Sequence, residues 1–420
     1  MTASPTVAPP AAPARSLRRD LSASAVVAGV VAVMVSYAGP FVVVLAAARA
    51  AGLDTVRTGS WVWAISVGSG LTSAGLSWWT RQPVITAWST PGAALLVASL
   101  PGYRWSEAVG AFLVAGLVMT VAGAAGLFGR LLAAVPAPVV TAMLAGILFP
   151  FATNGFAGIG ASPGIVLPVL VTFFVLRRVR PRWAVLGGLV AGLVATGLLG
   201  RFGRFAPAGG TGWVTLPTPT LPSFSLSALV GLAVPLLIVT AASQNAPGLA
   251  VLRASGYEPD DRRLVTATGA ASVLLAPFGA HAINLAAITA AICTGREAHE
   301  DPDRRYVAGI ACGTAYVVVG VVGGGLVAVF AALPHELVAA VAAVALLAAL
   351  LGAVVGAVSD EAHREAALVT FAVTAGGLTV AHVGSAFWGL VAGLAVHLVL
   401  RGRLPRVRAR DRGAAPDGPR

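Results

Sequence analysis

Long apolar runs separated by short polar segments dominate the sequence. The stretch from Leu21 to Ala48 contains no charged residue, and a helix needs only about 20 apolar residues to cross a bilayer. Many comparable runs follow. The pattern predicts an all-α polytopic membrane protein with about fourteen membrane-spanning segments, near residues 21–48, 58–78, 83–100, 105–127, 131–153, 163–177, 182–200, 226–252, 262–277, 280–295, 305–330, 333–355, 364–380 and 384–400.

The predicted spans form two sets of seven. A polar stretch rich in proline and glycine, residues 201–225, separates the first set (21–200) from the second (226–400). Because each set has an odd number of spans, the two halves must have opposite orientations, which is the inverted-repeat arrangement of many secondary transporters. We expect residues 201–225 to be a periplasmic linker, and residues 1–20 and 401–420 to be cytoplasmic tails, the first disordered and the second basic.

Composition and charge support a membrane location and indicate an orientation. Hydrophobic residues make up 57% of the chain and charged residues 10%, against about a quarter in soluble domains. All 28 basic residues are arginine, and they lie between apolar runs, which is typical of membrane orientation rather than of nucleic-acid binding. If both termini are cytoplasmic, 23 of the 28 arginines lie inside and five outside. We expect a multi-pass protein of the bacterial cytoplasmic (inner) membrane.

The third predicted span does not have the pattern of one continuous helix. After Pro83, the run Val84 to Trp88 favours an extended backbone. Ser89-Thr90-Pro91 then has the pattern of a helix start, in which a hydroxyl cap precedes a proline in the first turn. The helix is therefore predicted to begin partway across the membrane.

The tenth predicted span is interrupted at the equivalent place in the second half. Pro277 and Gly279 precede a run of small residues, which predicts a new helix starting at Ala280-His281. Equivalent interruptions in two halves are typical of a transporter substrate site. Unpaired N–H groups at two buried helix starts would bind an anion. The alternative interpretation is that both prolines only kink packed helices.

Polar side chains at membrane depth are further candidates for the site. Gln244 and Asn245 interrupt the eighth span, so they need a partner, which is either a substrate or another helix. His281 is a candidate proton carrier or substrate donor, with a neutral helix cap as the alternative. Asn284 is expected on the same helical face as His281.

Aromatic residues flank both interruptions. Trp88 and Phe278 adjoin the two predicted helix starts and would sandwich an aromatic substrate. Tyr37, beside Gly39-Pro40, would offer a ring and a hydroxyl to a cavity. Core packing, or for Tyr37 a place in the interfacial belt, is the alternative.

Signals for an enzyme or a metal site are weak. Residues 160–164 match the nucleophile-elbow pattern, but Pro163 has no N–H for an oxyanion. The chain contains no lysine for a phosphate-binding loop, and its histidines and cysteines lack metal-ligand spacing. We predict neither catalysis nor a cofactor or metal.

Three stretches carry a long and specific pattern: PVITAWSTPGAALL at 83–96, FGAHAINLAAITAAIC at 278–293 and TGREAHEDPDRRY at 294–306. They closely resemble the benzoate–proton symporter (BenE) family, which is distantly similar to uracil and xanthine permeases. The resemblance implies seven plus seven inverted repeats, divided into a core domain and a gate domain. It also implies a substrate held between the third and tenth spans, beside the eighth.

One difference from the nucleobase permeases bears on the substrate. Those proteins use a carboxylate on the eighth span, where this chain has Gln244-Asn245. A neutral site suits an anionic substrate, because a carboxylate would repel it. The resemblance thus implies proton-coupled uptake of benzoate or a related aromatic carboxylate, with His281 as the candidate proton carrier. The predicted substrate-binding residues are Tyr37, Trp88, Ser89, Thr90, Gln244, Asn245, Phe278, Gly279, Ala280, His281 and Asn284.

Three other functions remain open at this point. The same fold would suit a transporter of another small anion or of a nucleobase. A non-transporting sensor is a second alternative, although no added soluble domain supports it, and a membrane-embedded enzyme is a third, without a catalytic cluster. The expected partners are the substrate, protons and lipid, and a homodimer is a conceivable assembly.

Overall fold

The computed structural model describes residues 17–203, 213–381 and 383–401, and this part of the chain is mostly helical. Its first-half helices are α1 (Leu17–Asp20), α2 (Ala23–Ala38), α3 (Pro40–Ala50), α4 (Thr55–Thr80), α5 (Thr90–Ser99), α6 (Trp105–Ala124), α7 (Phe128–Ala133), α8 (Ala137–Ala161), α9 (Pro163–Val179) and α10 (Ala184–Leu198). The second half contains α11 (Leu226–Ala254), α12 (Asp261–Leu275), α13 (Ile288–Thr294), α14 (Tyr306–Val321), α15 (Gly323–Ala331), α16 (His335–Val358), α17 (Arg364–Ala375) and α18 (Ser385–Arg401).

Polar caps fix several helix starts at the ends of the apolar runs. The Ser22 hydroxyl accepts the Ala25 N–H at 3.2 Å at the start of α2. Asp54 accepts the Arg57 N–H at 2.7 Å at the start of α4. Such side chains satisfy backbone donors that a helix leaves unpaired in its first turn. The helices therefore begin where the sequence changes from polar to apolar.

Helical segments occur at all fourteen positions predicted from the sequence. Most ends agree with the predicted ones within a few residues. The helix at the fifth predicted position, α8, lies further along the chain, at Ala137–Ala161 rather than 131–153. Among the described residues, five helices are long and apolar enough to cross a membrane, or six if α14 and α15, bent by 68°, count as one span. Residues 1–16 and 402–420 of the predicted tails at 1–20 and 401–420 lie outside the described residues, as do residues 204–212 of the predicted linker. Leu17–Asp20, at the end of the tail predicted to be disordered, form the short helix α1 instead.

The helices pack as two groups. In the first group α4 packs along α14 and α6 packs along α12. Helix α2 packs against α13 and α14, α3 packs against α5, and α11 adjoins α5 and α6. The second group contains α8, α9 and α10 together with α16, α17 and α18, and α8 lies along α16. Helix α5 of the first group contacts α8 of the second. The interrupted third segment therefore lies where the two groups meet.

Glycine permits the closest helix approach in the first group. A side chain at Gly70 on α4 would lie 2.6 Å from the carbonyl oxygen of Gly313 on α14, and one at Gly123 on α6 would lie 2.6 Å from the backbone nitrogen of Thr266 on α12. Neither position has room for a Cβ atom. Small residues allow helix backbones to approach in this way inside membrane proteins.

Helix α11 contains two π turns that the sequence does not predict. They cover Leu229–Ala233 and Ala241–Asn245, and the second includes the polar Gln244-Asn245 pair. A π turn inserts one extra residue into the helical repeat, so it re-aims the side chains that follow, and it is frequent at functional sites.

Candidate functional site

The two interrupted segments meet as a short antiparallel β-pair. Strand β1 (Thr86–Trp88) pairs with β2 (Ile283–Leu285), and Ala87 lies opposite Asn284. The pairing extends at both ends, because the Ser89 N–H donates to Ala282 at 3.3 Å and the Ala286 N–H donates to Ile85 at 2.9 Å. Backbone that leaves a helix inside a membrane must be satisfied by protein or by a wet cavity. Here each interrupted segment satisfies the other.

The start of α5 lies where the sequence places it. Ser89 is the N-cap, and its hydroxyl accepts the Gly92 N–H at 3.0 Å, while Pro91 occupies the first turn. The Thr240 hydroxyl also donates to the Ser89 hydroxyl, at 3.1 Å. The Ser89 hydroxyl is therefore committed to the cap, and Thr90 and Pro91 are the residues of this helix start that line the adjacent cavity.

The prediction of a helix starting at Ala280-His281 is wrong. Gly279 adopts a left-handed conformation with φ 105°, the chain then becomes extended through β2, and α13 begins only at Ile288. The reason is strand pairing, since β1 supplies hydrogen-bond partners for β2 and thereby overrides the helical propensity of this alanine-rich run. Asn284 therefore lies on a strand and not on a helical face shared with His281.

His281 links the two interrupted segments from a fully buried position. Its Nδ1 accepts the Trp61 indole N–H at 3.1 Å, and its Nε2 lies 2.9 Å from the Ser89 carbonyl oxygen. A carbonyl oxygen can only accept, so Nε2 carries the proton and Nδ1 does not. This geometry describes a neutral imidazole that joins the segment just before β2 to the cap of α5 and to α4. The alternative prediction, in which a neutral His281 caps a helix that starts at His281 itself, is therefore also wrong.

A cavity of about 380 Å³ lies between the two packing groups and reaches both interrupted segments. Its size falls in the range of small-molecule sites, about 300–1,000 Å³. None of the described residues that line it is charged. The polar or aromatic ones are Ser36, Trp88, Thr90, Thr141, Ser243, Gln244 and Thr289.

Two cavity residues carry buried polar atoms with no hydrogen-bond partner among the described residues. These atoms are Trp88 Nε1 and Thr289 Oγ1, and their residues are only 2% and 6% exposed. Buried polar groups are nearly always satisfied in native proteins. Both residues line the cavity, but the two atoms themselves have almost no accessible surface, so each side chain would have to rotate to reach a polar guest there.

The aromatic candidates do not all lie together. Trp88 packs edge-on against Tyr37 and Tyr316, with ring centroids 5.3 and 5.8 Å apart, and only Trp88 of these three lines the cavity. The Tyr37 hydroxyl is hydrogen-bonded to Ser66 at 2.5 Å. Phe278 packs against Trp63 at 5.7 Å instead. The predicted sandwich between Trp88 and Phe278 is therefore absent, and Phe278, Gly279, Ala280 and His281 do not line this cavity.

Gln244 and Asn245 have different surroundings. Gln244 lines the cavity, whereas Asn245 is fully buried and its Oδ1 accepts the Leu285 N–H at 2.9 Å. The Asn245 amide nitrogen approaches the sulfur of Met119 at 3.7 Å. Asn245 thus supports β2, so its partner is protein rather than substrate. Of the two residues, only Gln244 faces the cavity.

Several cavity residues were not predicted because they lie on unbroken helices. Ala345, Ala349 and Ala353 of α16 form one wall, with Thr141 and Leu144 of α8 beside them. The signal in the sequence is the spacing of the alanines by four residues, which places them on one helical face. That pattern is equally typical of ordinary helix packing.

Comparison with known proteins agrees with the fold and with the family. The model of the BenE family, described as benzoate membrane transport protein, matches residues 19–399. The inner membrane protein YdcO of Escherichia coli (strain K12) is 38% identical over 89% of this chain and 95% of its own length. A benzoate membrane transport protein of Acinetobacter baylyi (strain ATCC 33305 / BD413 / ADP1) is 38% identical over 90% of this chain and 95% of its own.

Solved structures with low identity share the fold. The transmembrane domain of the cyanobacterial bicarbonate transporter BicA has a TM-score of 0.57 at 18% identity, covering 90% of this chain and 98% of that one. SLC26A9 has a TM-score of 0.59 at 14% identity, covering 89% and 65%. Together with the family match over residues 19–399, these results show a multi-pass membrane transporter rather than an enzyme, and the chain belongs to the BenE benzoate membrane transport family.

Proposed function

We propose that this protein takes up benzoate or a related aromatic carboxylate together with protons, by alternating access. The observation that carries the proposal is the cavity without charged lining residues that touches the starts of both α5 and α13. Trp88 and Thr289, whose polar atoms have no partner among the described residues, line it. The printed name of the Acinetobacter baylyi relative, a benzoate membrane transport protein, supports the substrate class.

The carboxylate would be held by neutral donors. Thr90 at the start of α5, Thr289 in the first turn of α13 and the Gln244 side chain approach the cavity from three elements. Helix starts stabilise negative charge, and hydrogen bonds to an ionised group are stronger than neutral ones. A neutral set of donors can bind the anion inside the membrane without enclosing a permanent countercharge.

The aromatic ring would occupy the apolar side of the same cavity. Trp88 presents an aromatic side chain there, and Leu144, Ile288 and Leu346 contribute aliphatic surface from three different helices. Burial of apolar ring surface is favourable by about 25 cal/mol per Å². An aliphatic carboxylate would lose much of this contribution, which favours an aromatic substrate.

The arrangement of helix contacts supports fourteen spans in two inverted repeats of seven. If each segment of the first half corresponds to the one seven later, the α4–α14 contact corresponds to the α12–α6 contact, and both are present. The α9–α10 and α17–α18 contacts correspond in the same way. This repetition supports an internal two-fold relationship, which brings the interrupted segments face to face.

The two packing groups have the character of the core and gate domains that the sequence resemblance implies. The cavity has walls from both, because α5, α11 and α13 belong to the first group while α8 and α16 belong to the second. Movement of one group against the other would open the cavity alternately to each side. We place the protein in the inner membrane, as the name of YdcO suggests, with cytoplasmic termini and an arginine-rich cytoplasmic face.

His281 stays the candidate for the coupling proton, under one geometric condition. Its Nδ1 already accepts the Trp61 indole N–H at 3.1 Å. A second proton on the ring would place two donors against each other, so protonation requires that this hydrogen bond opens. Coupling through His281 would therefore accompany a movement of α4 relative to the segment that contains His281.

Uptake into proteoliposomes tests the proposal. We expect an inward proton gradient to drive accumulation of radiolabelled benzoate, and unlabelled aromatic acids to compete for it. Displacement by uracil, sulfate or bicarbonate but not by aromatic acids would instead support a transporter of another anion or of a nucleobase on the same fold. Full proton-coupled uptake by a His281→Ala variant would exclude His281 as the carrier without affecting the assignment of the substrate.

A further inference from the structure

We infer that Asn284 fixes the orientation of the Gln244 amide, so that the cavity presents hydrogen-bond donors and selects a carboxylate over an amide of the same shape. The inference rests on the proposed function, because it concerns the group that would bind the carboxylate. It adds Asn284 as a positioning residue. It also makes the preference for a carboxylate depend on which end of the Gln244 amide faces the cavity.

The orientation of Asn284 is set by the backbone. Its amide nitrogen donates to the Leu285 carbonyl oxygen at 2.9 Å. A carbonyl oxygen cannot donate, so the nitrogen rather than the oxygen of this amide must point that way. Asn284 is fully buried on β2 and cannot turn towards water. Its orientation is therefore determined by the strand itself.

Asn284 then orients Gln244. The same Asn284 nitrogen donates a second hydrogen bond to Gln244 Oε1 at 3.4 Å. The flipped Gln244 amide would place its own NH₂ group against this donor, which is a repulsive arrangement. Gln244 therefore keeps its oxygen towards Asn284. Its Nε2 group makes no hydrogen bond to any described residue, and Gln244 lines the cavity.

Other polar groups of the cavity can also donate to a guest. Trp88 Nε1 can only donate, whereas the hydroxyls of Thr90 and Thr289 can donate or accept. A carboxylate oxygen accepts from all of them. An amide guest replaces one of the two acceptor oxygens by an NH₂ group, so one of these donors loses its partner, and a buried donor left unpaired costs considerable free energy.

The variant Gln244→Glu tests this polarity. Glutamate keeps the length of the side chain and an oxygen for Asn284, but its ionised form turns an acceptor towards the cavity. We expect the affinity of the purified protein for radiolabelled benzoate at pH 8 to fall by about 10- to 100-fold. Part of it should return at pH 5.5, where a protonated glutamate can donate again. Affinity for benzamide should change less than that for benzoate.

The variant Asn284→Asp tests the positioning role. It places an oxygen against Gln244 Oε1, so the Gln244 amide should flip and benzoate affinity should fall while benzamide affinity does not. Because this variant also loses the hydrogen bond to Leu285, the measurement is repeated in a Gln244→Met background. There Asn284→Asp should reduce the preference for benzoate over benzamide less than it does beside Gln244, and the remaining reduction is charge repulsion by the new carboxylate. An equal change in both backgrounds would overturn the positioning role.

The outcomes separate this inference from the proposed substrate. If Gln244→Glu binds benzoate at pH 8 as tightly as the wild type does, or if the wild type binds benzamide as tightly as benzoate, the inferred selection by oriented donors is rejected while benzoate transport stands. If the wild type binds bicarbonate and not benzoate, the proposed substrate fails, and loss of bicarbonate binding in Gln244→Glu still supports the polarity. A wild type that binds neither anion would reject both.

Discussion

Ser73 and Ser272 hold the two interrupted segments in the same way from opposite halves of the chain. The Ser73 hydroxyl accepts the N–H of Thr86 at 2.8 Å and lies 3.2 Å from the carbonyl oxygen of the same residue. The Ser272 hydroxyl has the same two distances, 2.8 and 3.2 Å, to Ile283. Thr86 and Ile283 are the first residues of β1 and β2. The second segment of each half thus fixes the interrupted segment that follows it.

This equivalence predicts equal sensitivity to the loss of either hydroxyl. Ser73→Ala and Ser272→Ala each leave a buried backbone N–H unpaired, which costs about 1–3 kcal/mol. We expect both variants to unfold at lower temperature in detergent and to transport more slowly. Thr153→Ala is the matched control, because its hydroxyl is exposed and bonds only within α8. Loss confined to one of the two serine variants would contradict the equivalence.

Helix α4 offers a second matched pair, in which only one glycine faces another helix. A Cβ atom at Gly70 would lie 2.6 Å from the Gly313 carbonyl oxygen, whereas one at Gly75 would meet nothing within 4 Å. Gly70→Ala should therefore separate α4 from α14 and cost about 1–3 kcal/mol. Gly75→Ala should leave the thermal midpoint unchanged or slightly raised. Equal midpoints for the two variants would show that this helix contact can adapt.

The start of α5 could be predicted from the sequence because its signals are local. A hydroxyl cap and a proline at neighbouring positions determine the backbone whatever surrounds them, and Ser89 and Pro91 lie as these signals indicate. The fourteen helical positions were also predictable, since each depends on a contiguous apolar run. These features need no knowledge of which segments meet.

The start of α13 could not be predicted in this way because it depends on a contact between distant residues. Ala280 to Ala287 has a helical composition, but β1, almost 200 residues earlier, pairs with part of it and keeps it extended. The different positions of Gln244 and Asn245 also depend on distant elements. Adjacent residues of a helix point about 100° apart, and the sequence does not show which of the two directions faces the cavity and which faces β2.

A tyrosine in the loop between α11 and α12 gives a prediction for alkaline pH. Burial raises the pKa of Tyr257, and its hydroxyl donates to the Pro302 carbonyl oxygen at 2.9 Å. The folded protein binds this proton more tightly than the unfolded chain does. Its contribution to the stability of the fold is therefore complete below the pKa of tyrosine in the unfolded chain, which is about 10. It is lost as pH rises through the folded pKa.

The Tyr257→Phe variant checks this pH dependence. It lacks both the proton and the hydrogen bond, so its thermal midpoint should lie below that of the wild type at pH 8. The difference should shrink as pH rises past about 10. A difference that stays constant between pH 8 and pH 11 would show that ionisation of Tyr257 does not affect stability.

Variants of Asn245 test whether this residue only supports the site or also contacts the substrate. Its Oδ1 accepts the Leu285 N–H at 2.9 Å, which only an acceptor at this position can do. Asn245→Leu should therefore destabilise β2 by about 1–3 kcal/mol and weaken transport of every substrate alike. Asn245→Asp retains an acceptor for the Leu285 N–H and should preserve more of that stability than leucine does. If Asn245→Leu instead changes the preference between benzoate and other anions at unchanged thermal midpoint, Asn245 contacts the substrate directly, because a residue that only supports the strand would lower stability and leave selectivity unaltered.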